Sequence, residues 1–198
     1  MKSTGSYFFA WLAAAGLAFV LAFAAPNERR VMGRLPAFMA QTLDHQRLVA
    51  VPAGLHADRT LVLITFQKDK RGHIDSWIQG LNLKNDPSIA WLRMPVLGEP
   101  GNAAARSAVV SKLLRHYPEA AERAKLVPVF ADKTGFIRSA GLGSTDQVYA
   151  VVINREGEVL ARAEGQFDAD KAQALRETLL AENLRVAGGQ GLTVPSVK

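Results

Sequence analysis

An α/β fold with a mixed central sheet flanked by helices is predicted by two stretches of this 198-residue chain. The first is an apolar run, Leu61–Phe66, which leads through charged residues and a glycine into apolar side chains at helical spacing. The second is a pair of apolar strands, Tyr149–Ile153 and Val159–Glu164, on either side of a glycine-containing turn. A strand–loop–helix unit gives parallel pairing and a hairpin gives antiparallel pairing, so the two stretches together predict a mixed sheet.

Composition limits the class of protein before any motif is considered. With 48% hydrophobic residues, the chain is long enough for one well-filled domain, predicted over residues 26–187, plus terminal extensions. The formal net charge is +6, but basic and acidic residues alternate along the chain without a basic stripe among aromatics, so no nucleic-acid partner is predicted. The chain contains no cysteine, which excludes thiol–disulfide exchange. Its histidines occur singly, and neither a metal site nor a cofactor is predicted.

The N-terminal apolar run, Tyr7–Ala25, reads as a hydrophobic helix. At its helical rise it would reach roughly 29 Å, close to the roughly 30 Å hydrocarbon core of a bilayer. The small-x-small sequence at 22–24 also has the form of a signal cleavage site. Residues 1–25 are therefore predicted to be either a signal peptide or a membrane anchor, with the domain in the cell envelope and facing the periplasm. The arginines that follow, at 29, 30 and 34, favour the opposite orientation.

The first half of the domain is predicted to contain a hairpin, a strand, a helix and a second strand. The hairpin follows Gly33 and turns at Asp44–His45. The strand Leu61–Phe66 and the strand that begins at Ile89 are expected to be parallel neighbours. The helix Ile74–Leu81 would join them, because a right-handed crossover needs about that length.

The middle of the chain carries weaker signals. The second strand, Ile89–Leu97, contains Pro95, which we expect at the strand end or at a bulge because a central strand needs that N–H. Asn102 is expected to cap a helix through Arg115. The buried side of this helix would consist of Val109, Val110, Leu113 and Leu114. Three segments follow, namely a short helix at 119–125, an extended segment at 126–130 and a glycine-rich segment at 134–143.

The C-terminal part gives the clearest pattern. Gly157 is expected to supply a positive φ in the hairpin turn that begins at Asn154. Asp168 or Asp170 should cap a helix through Asn183. Residues 188–198, rich in glycine and proline, are predicted to be a disordered tail.

This order of elements resembles the thioredoxin superfamily, and the hairpin after Gly33 resembles its peroxiredoxin and thioredoxin-like reductase branch. Aligning the Leu61–Phe66 strand with the first core strand places Arg71-Gly72-His73-Ile74 where Cys-Gly-Pro-Cys would stand. Tyr149 falls where the superfamily has a cis-proline. The resemblance implies a thioredoxin-like fold without redox cysteines. A trans peptide is expected before Tyr149, because a cis bond before a non-proline residue costs about 2.5–4 kcal/mol.

A few residues are also similar to one cysteine-poor relative, the tenth assembly-factor family of mitochondrial ATP synthase. They are Ser76–Trp77, Leu142–Gly143 followed by Tyr149, and the strand Glu158–Gly165. The tryptophan that this family carries in its last strand has no counterpart here. The similarity implies a role in the assembly of a membrane complex.

The candidate site lies around the loop between the first strand and its helix. The segment 67–72 combines three cations with the unpaired N–H groups of a helix start, which together suit an anion, although such a charge run is also typical of a solvated loop. In a thioredoxin-like fold this loop faces the segment before Tyr149. The predicted binding surface therefore consists of Lys68, Lys70, Arg71, Gly72, His73, Asp146 and Tyr149.

Two functions fit these observations. The first is a redox-inactive, non-enzymatic envelope protein that binds another protein, such as a membrane complex, and assists its assembly, with direct membrane contact through residues 7–25 if they are not cleaved. The alternative is an enzyme or small-ligand protein whose cationic loop, 67–73, holds an acidic substrate. A concave pocket with convergent titratable groups at the loop would favour the alternative, whereas a flat or apolar patch would favour protein binding.

Overall fold

The computed structural model describes residues 31–44 and 47–189, with side-chain environments through residue 181. The strands in this part of the chain are β1 Phe38–Gln41, β2 Leu48–Val51, β3 Arg59–Thr65, β4 Trp91–Leu97, β5 Val129–Phe130, β6 Tyr149–Asn154 and β7 Val159–Glu164. The helices are α1 Arg71–Gly80, α2 Ala103–His116, α3 Ala120–Ala124, α4 Lys133–Ala140 and α5 Ala169–Gly189.

Three predictions fall outside the described residues: the hydrophobic N-terminal helix, His45 at the first hairpin turn, and the tail after residue 189. None of the described helices combines the length and the apolar character needed to span a bilayer.

Strand β3 is central in a five-stranded sheet of order β5-β4-β3-β6-β7, and β1 and β2 form a separate antiparallel pair. Strand β4 runs parallel to β3, with Leu61 opposite Trp91, and β5 runs parallel to β4. Strand β6 runs antiparallel to β3, with Leu61 opposite Val152, and β7 antiparallel to β6. The predicted mixed sheet is therefore confirmed, as is the parallel β3–β4 pair joined by α1.

The two faces of the sheet bury different apolar clusters, because successive strand residues point to opposite sides. Leu61 and Leu63 face α1 and α5, where Trp77 and Leu175 complete the layer. Val62 and Ile64 face the other layer, which contains Phe136 of α4 and Val49 of the hairpin. Helices on both faces and a β3 buried on both sides were predicted, and both are confirmed.

Pro95 does not lie where it was expected. It is inside β4, paired with Thr65 of β3, and neither at the strand end nor at a bulge. On the β5 side of β4, the Arg93 N–H donates to the Lys125 carbonyl at 2.8 Å, and alternation turns the Pro95 nitrogen to that same side. There it faces the gap between the Arg93–Leu126 bridge and the start of β5 at Val129. A missing N–H is tolerated because no ladder bond is required at this gap.

The glycine-rich segment 134–143, to which the sequence analysis assigned no helix, is largely helix α4. The Asp132 carboxylate accepts hydrogen bonds from the N–H groups of Thr134 and Gly135, and Gly141 ends the helix with a φ of 66°. This helix was not predicted because Gly135 lies inside it, and glycine has a low helix propensity.

The C-terminal hairpin and helix follow the predicted order. Gly157 has the expected positive φ, at 81°, in the β6–β7 turn. The Asp168 carboxylate accepts a hydrogen bond from the Lys171 N–H at 3.0 Å and caps α5. This helix continues to Gly189, past the predicted end at Asn183 and past the predicted start of the tail at 188.

Candidate functional site

Helix α1 begins at Arg71 with an uncompensated positive end. Lys70 occupies the N-cap position without a side-chain cap, and the first turn carries no acidic residue. Arg71, Gly72 and His73 thus lie at the helix N-terminus, as predicted. Cations at this end oppose the helix dipole, so the local sequence raises the electrostatic potential at the helix start. The N–H groups of Arg71 and His73 already donate to the Lys68 and Lys70 carbonyls, so the side chains carry most of the attraction for an anion.

Gly72 offers a direct test of this positive end, because a Cβ added there would contact nothing within 4 Å. Gly72→Ala should raise the free energy of unfolding by up to about 1 kcal/mol through helix propensity alone. Gly72→Glu should add about 0.3–1 kcal/mol more in low salt, because an acid in the first turn complements the dipole. Urea unfolding of both variants separates the two contributions. A glutamate variant no more stable than the alanine variant would contradict the proposed positive potential.

The loop at 67–73 and the segment before Tyr149 are joined by a hydrogen bond between two side chains. The Gln67 side-chain amide donates a hydrogen bond to the Asp146 carboxylate at 2.7 Å. Tyr149, however, is fully buried, and its hydroxyl accepts hydrogen bonds from the N–H groups of Gly143 and Ser144 and donates to the Ser144 carbonyl. Tyr149 therefore supports the 143–144 loop from behind the surface. Within the described residues the one cis peptide precedes Pro52, so the bond before Tyr149 is trans as expected.

A cavity of about 200 Å³ opens beside this loop, where β3 and β4 end and α2 passes over them. Its position outside the carboxyl ends of two parallel strands is where open α/β sheets bind ligands. The apolar part of the lining is shared by strands, helices and connections, and includes Phe66, Ile74, Leu97, Val109, Leu113 and Leu126. Phe66, Ile74 and Leu126 are buried and form its interior, whereas Val109 and Leu113 are half-buried on α2.

The charged side chains around the cavity are all basic within the described part of the chain. They are Lys68, Arg71, Arg93, Lys112, Lys133 and, when it is protonated, His116. Arg93 has a partner in Asp75 at 2.5 Å, and the Lys133 ammonium donates to the Phe66 carbonyl at 2.9 Å.

Four of these cations have no carboxylate partner among the described residues: Lys68, Arg71, Lys112 and Lys133. Of the four, Lys133 is held by its bond to the Phe66 carbonyl. Lys68 and Lys112 are exposed and Arg71 is half-buried, so the uncompensated charge lies toward the mouth of the cavity.

Tyr117 holds two of the arginines in place. The guanidinium carbons of Arg71 and Arg93 lie 5.2 Å and 5.0 Å from the centre of its ring, and Tyr117 itself is only 7% exposed. Such contacts stabilise each arginine by about 0.5–2 kcal/mol and restrict its motion. The basic edge of the cavity is therefore partly pre-organised before any ligand arrives.

The structure places only two of the predicted site residues, Lys68 and Arg71, on the cavity wall. Lys70 is half-buried outside it, and Gly72 is exposed on α1. The remaining residue of the loop, His73, is half-buried, and its Nδ1 is enclosed without a hydrogen-bond partner in the part of the chain described.

Helix α2 supplies two cavity residues, Lys112 and His116, that the sequence analysis did not assign to the site. Val109, Lys112, Leu113 and His116 recur at i, i+3, i+4 and i+7 and form one wall of the cavity. Val109, Val110, Leu113 and Leu114 were expected on the buried side of this helix, and they are its half-buried residues, although no residue of α2 is fully buried. The sequence signal for this wall of the cavity was a stripe of apolar and basic residues at helical spacing.

No protein-family model matches this chain, and no curated protein matches its sequence. Solved structures do match. BsSco, a member of the Sco family of cytochrome c oxidase assembly proteins, is 14% identical with a TM-score of 0.50, over 77% of this chain and 95% of its own. An uncharacterized conserved protein from Geobacillus kaustophilus is 11% identical with a TM-score of 0.51, over 78% of this chain and 85% of its own.

The exposed lipoprotein thioredoxin Etrx1 of Streptococcus pneumoniae is 12% identical with a TM-score of 0.48, over 72% of this chain and 99% of its own. The mixed central sheet with helices on both faces fits the match to BsSco. The fold is thioredoxin-like. At these identities the likeness extends to the fold alone.

Proposed function

We propose that this protein is a redox-inactive, thioredoxin-like binding module that holds an acidic segment of a partner protein in the basic cavity. The observation that carries the proposal is the cavity at the ends of β3 and β4, which has four cations without a carboxylate partner and no lining carboxylate in the described residues. A cleft lined by one sign of charge, with apolar walls, concentrates its electrostatic field and attracts the opposite charge. A chain without cysteine has no thiolate, so binding takes the place of thiol chemistry at this position.

The partner, in this proposal, is a membrane complex of the cell envelope that the module helps to assemble. The proposal is supported by the apolar run at residues 7–25 and by the residues similar to an ATP synthase assembly-factor family. It is also compatible with BsSco, an assembly protein that has this fold. Mass spectrometry of the mature protein decides how the module reaches the membrane. An N-terminus at Ala25 indicates cleavage, whereas an intact Met1 in the membrane fraction indicates an anchor.

The second candidate function is a small-ligand protein that uses the same cavity for an acidic small molecule. It is favoured by the concave shape of the site and by the convergence of charged groups from β4, α1 and α2. The hydroxyl of Thr65, which also lines the cavity, donates to the Gln67 carbonyl at 2.9 Å and is held in that bond. Cations and apolar walls bind an anion, so we propose binding in preference to catalysis for this candidate as well.

The proposed function predicts that Lys68, Arg71 and Lys112 carry the attraction for the partner. The triple alanine variant should reduce partner capture from native membranes by tenfold or more and should flatten its dependence on salt, because exposed charges act through a screened field. Capture would be measured by quantitative cross-linking and mass spectrometry at several salt concentrations. The fold should survive, since surface substitutions cost under about 0.5 kcal/mol each.

The matched control removes the same charge elsewhere, with Arg115, Arg138 and Arg162 changed to alanine. All three are exposed, and none lines the cavity. This variant should retain the same partner at wild-type yield. If the control loses the partner while the cavity variant keeps it, the binding surface lies elsewhere and the proposal is wrong.

A further inference from the structure

We infer that the group bound in the cavity is a carboxylate joined directly to an apolar group, such as the C-terminal residue of a polypeptide with an apolar side chain or a short amphiphilic carboxylic acid. This inference rests on the proposed binding at the cavity, in either of its two candidate forms, and names the chemistry of the ligand. It follows from the division of the cavity into an apolar interior and a basic mouth.

The interior requires an apolar group. Phe66, Ile74 and Leu126 line it and are almost fully buried, while Leu113 covers it from α2. A ligand that offered only charge would leave these walls in contact with water that has few polar partners there. A volume of about 200 Å³ is comparable with the ~150 Å³ of an apolar cavity that accepts one benzene molecule. The space therefore suits one aromatic ring or one branched aliphatic side chain.

The mouth requires an anion close to that apolar group. Arg71 is half-buried at the edge of the interior, with its guanidinium over Tyr117, while Lys68 and Lys112 are exposed around it. A guanidinium presents a planar fork of donors that matches the two oxygens of a carboxylate. An internal Asp or Glu side chain carries its carboxylate at the tip, with no apolar group beyond it to fill the interior. A chain terminus or an amphiphilic acid carries both groups together.

The test measures affinities of the full chain for defined probes by calorimetry. The probes are a hexapeptide ending in free phenylalanine, the same peptide with an amidated C-terminus, hexanoate, hexanol, succinate and an amidated pentaglutamate. The inference expects the free-acid peptide or hexanoate to bind at least tenfold more tightly than its uncharged counterpart and than succinate. Tighter binding of the peptide than of hexanoate assigns the ligand to a polypeptide terminus, and the reverse assigns it to a small acid.

Other outcomes overturn the inference without deciding the proposed function. If pentaglutamate binds more tightly than either amphiphilic acid, the site takes acidic segments and the apolar requirement is wrong. If no probe binds, the ligand chemistry is wrong, while the proposed function is judged separately by the cross-linking of the alanine variants. If the amphiphilic acids bind the triple alanine variant as well as the wild type, they bind outside the cavity, and the inference fails.

Two substitutions, Leu113→Trp and Asp75→Asn, test whether the ligand binds inside the cavity, and Ser111→Trp is the control. Leu113→Trp should fill the interior and weaken the amphiphilic acid at least tenfold, whereas Ser111→Trp, on an exposed position of α2, should not. Asp75→Asn should instead tighten binding several-fold, because it removes the carboxylate that neutralises Arg93 at the cavity wall. A gain of affinity is a result that mere loss of structure cannot produce. Equal affinities in all three variants and the wild type would refute the assignment.

Discussion

Replacement of Trp77 by alanine should lower the free energy of unfolding by about 3–5 kcal/mol. The indole is fully buried between the sheet and α5, and its Nε1–H donates to the Gly165 carbonyl at 2.9 Å. Its ring also makes an edge contact with Phe167, with centroids 5.4 Å apart. Alanine would leave a large cavity under α1 and an unpaired carbonyl at Gly165, and each of these changes destabilises the fold. Urea unfolding followed by far-ultraviolet circular dichroism measures the loss.

Two further variants divide the effect of Trp77→Ala into its parts. Trp77→Phe retains most of the apolar contact and removes the hydrogen bond, so it should cost less than the alanine variant. Gln79→Ala changes an exposed residue of the same helix and should fall within about 0.5 kcal/mol of the wild type. A phenylalanine variant as unstable as the alanine variant would show that the bond to Gly165 dominates and that the cavity argument is wrong.

The fold was predictable because its central elements carry strong local patterns. The β3 residues Leu61–Ile64 form a continuous apolar run because both faces of this strand are covered. The β6–β7 hairpin shows apolar strands around a glycine that the turn requires. Helix α4 escaped prediction because Gly135 interrupts its pattern, although Asp132 and Gly141 mark both of its ends.

Only the part of the candidate site at residues 68–71 could be predicted, because another wall comes from α2, which is distant in the sequence. Lys68 and Arg71 stand out in the sequence because they directly follow a buried strand and precede a helix. Lys112 and Leu113 are brought opposite them only by the position of α2 over the ends of β3 and β4. Tyr149 was assigned to the surface from its place in the chain, yet its first position in β6 turns its side chain into the core.

The start of α1 contains a local electrostatic conflict. Basic residues at a helix N-terminus oppose the dipole by about 0.3–1 kcal/mol each, and α1 begins with Lys70 and Arg71 without a compensating acid. The contact of Arg71 with the Tyr117 ring offsets part of this cost. An anionic ligand in the adjacent cavity would remove the conflict, so that ligand binding should also raise the free energy of unfolding.

Replacement of Gly141 by alanine should lower the free energy of unfolding by about 2–5 kcal/mol, even though the change adds only one methyl group. Gly141 has a φ of 66°, and the left-handed region costs any other residue about 1–2 kcal/mol. An added Cβ would also lie 2.0 Å from the Met32 carbonyl oxygen, so the segment that pairs with Val159 would have to move. Displacement of packed backbone costs about 1–3 kcal/mol more.

Gly33 faces the same contact from the other side. Its added Cβ would lie 2.4 Å from the Ala140 carbonyl carbon, so Gly33→Ala should also destabilise the protein, although without a φ penalty. Both substitutions displace the same pair of backbones, so the double variant Gly33→Ala/Gly141→Ala should be destabilised by less than the sum of the two single effects. Gly98→Ala is the control, because no atom lies within 4 Å of an added Cβ there and its stability should be unchanged. Chemical denaturation of all four variants checks the prediction, and a Gly141→Ala variant as stable as Gly98→Ala would show that the 31–35 segment is not held against α4 in solution.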